Sequence, residues 1–244
     1  MVNPVTGNAD LSPSVEYFSQ SLISALALIF QFDPDVYLIV WTSLKISLSA
    51  TLIAGVLAIL LGCRAAISEF PGKRLLKQIL NTLMAMPTVM IGLIMYGLLT
   101  RRGPLGDWGL LYTETAIIIG EAILILPIIM NLTMVAVQSA DPQLLPTLKS
   151  LGANRLQETL LVLNELRYTI LAAIITGFGR AIGEVGAAMM LGGNIQGATR
   201  TITTAIALET SKGEFELGLA LGILLLLIAF SVNMVLQILH PQQS

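Results

Sequence analysis

The sequence predicts an all-α membrane protein: five transmembrane helices behind a short N-terminal interfacial helix. Three observations lead there. The 244 residues are 55% hydrophobic and only 11% charged, with a mean hydropathy of +0.82, whereas soluble domains carry about 25% charged residues. The apolar residues gather into segments of roughly 20, the length that about 30 Å of hydrocarbon demands. The basic residues concentrate in alternate loops between those segments.

Taken in order, residues 1–35 form an extracytoplasmic segment containing the interfacial helix, 18–32. That stretch opens with Ser19, Gln20 and Ser21 and reaches only about 22 Å at a helical rise of about 1.5 Å per residue. It therefore suits the membrane surface, with a sixth span as the alternative. The membrane region, 36–239, holds spans at 36–61, 79–99, 115–137, 169–191 and 217–239, and 240–244 form the tail. Arg64, Lys73, Arg74 and Lys77 follow the first span, and Lys149, Arg155 and Arg167 follow the third. They outnumber Arg101, Arg102, Arg200 and Lys212 in the other two loops. The positive-inside rule then puts the N-terminus outside and the C-terminus in the cytoplasm.

Several chemistries are excluded. Cys63 is the only cysteine and His240 the only histidine, which argues against a zinc site or a histidine-based triad. The N-terminus has no basic n-region or small-residue cleavage site of a signal peptide. The net charge of −2 gives no sign of nucleic acid as a partner. No G-x-x-x-x-G-K-[ST] phosphate loop occurs.

The loop 138–168 is too long for a helix hairpin and is patterned. Asp141-Pro142 is a helix start, with proline where its missing N–H is harmless. Leu144, Leu145, Leu148 and Leu151 follow at helical spacing, and Gly152 suits a left-handed stop. Asn154 with Gln157 resembles a capping box opening a second helix, with Leu156, Leu160 and Leu163 on one face. A helix–glycine–helix element at the cytoplasmic surface is either a connector resting on lipid or a dock for a soluble partner.

This loop resembles the cytoplasmic motif of ABC importer permeases, in which a short coupling helix precedes a glycine and fits a cleft on an ATPase. Gly152 matches that glycine, and Val162 the aliphatic position beyond it. Pro146-Thr147-Leu148 stands where the family often has Glu-Ala-Ala, and Asn164-Glu165 where it often has Leu-Pro. SEFPGKRLL (68–76), RRGPLG (101–106) and GRAIGEVGA (179–187) resemble the molybdate and tungstate branch. NELRY (164–168), MMLGGNI (189–195) and TRTITTAIALETSKGEFELG (199–218) resemble its tungstate subgroup. The resemblance implies the type I importer fold and a homodimer. It implies two ATPase subunits carrying ATP and magnesium, with no cofactor on this chain, and an extracytoplasmic oxyanion-binding protein. Leu144, Leu145, Leu148, Leu151, Gly152 and Ala153 would couple to the ATPase.

Within the membrane, Arg180 and Glu184 lie four residues apart among glycines. They share a helix face and can pair, relieving the several kcal/mol that a lone charge costs at that depth. Gly179, Gly183 and Gly186 would admit another backbone. The pair fits a structural or gating role, or direct contact with an anion. Lys45, at the depth of Glu121 and Glu184, is expected to pair with one of them or to stand in a wet vestibule. Met189, Met190 and Met86 suit core packing or a gate. Pro87 and Pro127 interrupt the second and third spans. Thr199, Thr201, Thr203 and Thr204 around Arg200 are available to an oxyanion or to a solvated loop. An ion-coupled secondary transporter would show broken-helix pairs in symmetric halves, and no such repeat is visible. An intramembrane enzyme would need a nucleophile or metal cluster at helical spacing, which the sequence lacks.

Overall fold

The computed structural model describes residues 13–141 and 143–239, without the side chains of residues 13–18, 145, 149, 236 and 239. The residues before Pro13, Pro142 and the tail from His240 lie outside the described residues. So does the side chain of Leu145.

The described chain is helical throughout, a multi-pass membrane protein. α1 (Pro13–Phe30) turns through Phe32, at φ 55°, into α2 (Pro34–Ile67). Asp33 caps α2 by accepting from the Asp35 and Val36 N–H groups, with proline at the first helical turn. α3 (Lys73–Met84) and α4 (Thr88–Leu99) follow, then α5 (Glu114–Gln138). α6 (Leu144–Ser150) and α7 (Arg155–Glu165) form the loop element. α8 (Arg167–Ile182), α9 (Gly186–Gly192), α10 (Ile202–Lys212) and α11 (Phe215–Leu239) complete the chain.

α2, α5 and α11 are each long and apolar enough to cross a membrane unbroken. The segments expected as the second and fourth spans are not single rods. α3 and α4 are bent by 95° at Ala85–Pro87. Pro87 lacks the N–H needed to continue α3, so the chain restarts there. α7 and α8 are bent by 77° around Leu166. α8 then stops at Ile182, and three irregular residues, Gly183 to Val185, precede α9. Pro127 behaves differently: it is buried inside the continuous α5, which packs against both α2 and α8.

The core is the α2–α5–α8 packing, with α4 laid on α9 and α10 on α11. Ile46, Ile117, Ile125, Ile129, Met134 and Leu191 are almost completely buried there. The α4–α9 contact is backbone-close. A Cβ on Gly92 would lie 2.9 Å from the Ala187 Cα, so only glycine lets the two helices approach this far. The expected backbone approach at Gly179, Gly183 and Gly186 is not seen among the described residues. Space at Gly179 is open, Gly183 faces its own helix, and Gly186 faces the Val89 side chain.

Candidate functional site

Two sites emerge, one in the loop and one at the helix break. In the loop, Asp141 Oδ1 accepts the Gln143 N–H at 2.8 Å and starts α6. Gly152 sits at φ +77° and ends it, while the Ala153 N–H returns to the Leu148 carbonyl at 3.1 Å. The capping box at Asn154 is complete: its Oδ1 accepts from Leu156 and Gln157, and Gln157 Oε1 accepts the Asn154 N–H. Helical periodicity does not distinguish inside from outside here, and the structure does. Leu144 and Leu148 turn inward toward the core, near the fully buried Val162. Leu151 is 78% exposed, Gly152 is exposed and Ala153 half-buried. Among the described side chains of α6 and its turn, Pro146, Thr147, Ser150, Leu151 and Gly152 are exposed, while Leu144 and Leu148 are not.

At the break before α9, Arg180 Nη1 meets Glu184 Oε2 at 3.0 Å. Glu184 is buried and the Arg180 side chain is 39% exposed. Glu184 Oε1 accepts the Ala187 N–H at 3.0 Å, supplying the cap that the broken helix lacks. Thr203 Oγ donates to the Glu184 carbonyl at 2.5 Å. Irregular backbone at membrane depth persists only where protein or a wet cavity satisfies it. Here Glu184 and Thr203 do so.

Glu121 on α5 is buried beside this cluster, close to Ser47 and within electrostatic reach of Glu184. Its Oε2 has no hydrogen-bond partner. Ser43 accepts the Ile202 N–H at 2.6 Å, tying α2 to the start of α10. Ser43 and Ser47 stand outside the residues singled out from the sequence, whereas Thr203 is among them and finds its partner in the Glu184 carbonyl. The signal for the two serines is a row of hydroxyls at Ser43, Ser47 and Thr51, one every fourth residue along the first span.

Lys45 does not join this cluster. It pairs with Glu114 at 2.5 Å, with both side chains partly exposed. Glu114 lies in the first turn of α5, where the flexible lysine reaches it without entering the core. Met189 and Met190 are half-buried on α9, Met190 packing beside Gly92. The threonines are engaged in local structure. Thr199 donates to Gly192 and accepts from Ile195, and Thr201 and Thr204 form the capping box of α10. Arg200 is held near Glu209, 3.8 Å away. Between α4 and α5, a cavity of about 710 Å³ is lined by Tyr96, Arg101, Arg102 and Tyr112 among others. The Tyr96 hydroxyl raises the Tyr112 phenol above its ordinary pKa.

Residues 54–244 match the family described as "Binding-protein-dependent transport system inner membrane component". The chain is 42% identical to the tungstate uptake system permease protein TupB of Peptoclostridium acidaminophilum, over 93% of this chain and 100% of that protein. It is 40% identical to TupB of Campylobacter jejuni, over 91% and 92% of the two chains. A solved amino acid ABC transporter, crystallised with histidines, shares the fold with a TM-score of 0.61 at 17% identity. The match covers 86% of this chain and 94% of that one. The chain belongs to the binding-protein-dependent transport system inner membrane component family.

Proposed function

We propose that the chain is the membrane subunit of an ATP-driven importer that carries tungstate inward by alternating access. The similarity to two tungstate uptake permeases along nearly their whole length carries the substrate reading. The capped helix–glycine–helix loop supports the coupling. Its exposed Leu151–Gly152 tip is a rigid projection on which ATPase closure can push. The subunit works as a homodimer with two ATPase subunits, which hold ATP and magnesium, and an extracytoplasmic oxyanion-binding protein. The N-terminus faces outside and the C-terminus the cytoplasm. α8 and α9 of each copy line the centre, and the breaks at Pro87 and at Gly183–Val185 are the points about which their outer halves move. Arg180 is paired and Glu184 buried, so the resting cluster offers an anion little net attraction. That suits a path that must release its cargo, with selection left to the binding protein.

Reconstitution in lipid vesicles with the ATPase and the loaded binding protein tests the reading. Tungstate should stimulate hydrolysis and uptake more than molybdate or sulfate does. Equal stimulation by sulfate would defeat the substrate assignment. A complex that hydrolyses ATP without moving any oxyanion would defeat the transport assignment.

A further inference from the structure

Beside the loop element lies a second cavity, of about 640 Å³, which none of the transport steps uses. The end of α2, the start of α3, the end of α5 and α6 wall it, with Lys73, Arg74, Lys77, Gln138, Asp141 and Leu144 among its lining. Lys73 is committed: its ammonium donates to the Ala66 and Ser68 carbonyls at 2.8 and 3.0 Å and to Glu69 at 2.9 Å. Lys77 donates only to the neutral Gln138 amide, at 2.8 Å. Neither Arg74 nor Lys77 has an ion pair among the described residues. Glu69 and Asp141 are the carboxylates of the lining: Lys73 holds Glu69, and Asp141 Oδ1 is occupied by the Gln143 N–H. Two uncommitted cations therefore look into a walled space near the membrane surface.

We propose that this cavity binds a phosphate group, either that of an anionic lipid in the adjoining leaflet or inorganic phosphate free in solution. A guanidinium and an ammonium on successive turns of α3 suit tetrahedral oxygens, the first through paired N–H groups and the second as a point charge. The volume lies within the range of sites for drug-sized ligands, roomier than a bare ion requires. α3 also exposes Leu75 and Ile79, by 60% and 46%, and Leu83 one turn further on. At helical spacing that row lies on the face of α3 away from Arg74 and Lys77, where it suits the surrounding acyl chains, while the basic residues suit an anionic headgroup at the membrane surface. An occupant would link α3 to the α5–α6 junction, beside the loop element.

The test uses the purified full complex: wild type, Arg74→Gln/Lys77→Gln, and Arg101→Gln/Arg102→Gln as an outer-face control. In one arm, native mass spectrometry follows retention of phosphatidylglycerol against phosphatidylcholine. In the other, calorimetry titrates inorganic phosphate into lipid-depleted protein. Wild type and control should retain phosphatidylglycerol, and the inner double variant should hold it about tenfold more weakly. Phosphate binding lost in that variant alone would instead identify free anion as the source. Retention and titration unchanged in the inner double variant, or equally weakened in the control, would overturn the site. Should that variant fail to fold, Arg74→Gln alone changes one exposed side chain and must still weaken retention or titration. Unchanged binding there defeats the proposal. Neither arm needs ATP or tungstate, so failure here and failure of the transport reading are separable.

Discussion

Glu184 accepts from Arg180, one helical turn before it, with its Oε2 at 3.0 Å, while its Oε1 caps the Ala187 N–H at the same distance. One carboxylate thus neutralises a cation and closes a helix break. Glu184→Gln keeps an acceptor for the cap and leaves Arg180 without its counter-charge. We expect destabilisation on the order of 1–3 kcal/mol, below the full cost of breaking a buried pair because Arg180 is partly exposed. Thermal unfolding in detergent checks it. In a double-mutant cycle with Arg180→Met, the two losses should fail to add.

Glu121→Gln should behave in the opposite sense. Glu121 lies close to Ser47, with an unpartnered Oε2 and no cation paired with it among the described residues. A neutral amide of the same shape removes a buried carboxylate's desolvation cost. Thermal stability should be unchanged or higher. A loss of several kcal/mol would reveal a cation that holds this carboxylate.

Lys45→Met should matter little. The Lys45–Glu114 pair is partly exposed, and such pairs contribute about 0–1 kcal/mol. Assembly and uptake should stay near wild type, and the charge-swapped Lys45→Glu/Glu114→Lys variant should match it.

Gly92→Ala places a methyl group 2.9 Å from the Ala187 backbone. Forcing α4 from α9 should destabilise the chain by about 1–3 kcal/mol and slow uptake. Gly97→Ala on the same helix meets open space and should be neutral or slightly stabilising. Thermal unfolding of the two variants side by side makes the comparison.

At the loop tip, Leu151→Asp alters a side chain that is 78% exposed. Permease stability should hold while ATPase co-purification and tungstate-stimulated hydrolysis fall by about tenfold or more, as for an apolar contact point. Gly152→Val should impair both, since φ +77° strains a branched residue by about 1–2 kcal/mol.

The sequence by itself determined the all-helical class, the apolar segments and the capped helix–glycine–helix loop. It also determined the Arg180–Glu184 pair. Each of these is local: helical spacing, caps and charges four residues apart depend on neighbours along the chain. Only the tertiary structure decided that the chain breaks at Pro87 yet stays helical through Pro127. The same local penalty is met by different packing, since α5 is held by both α2 and α8. It also decided that Lys45 chooses Glu114, that Leu144 and Leu148 face inward, and that Thr203 serves the Glu184 carbonyl. Which partner a long or hydroxylated side chain finds depends on helices distant in sequence, and no spacing rule along one chain records their approach.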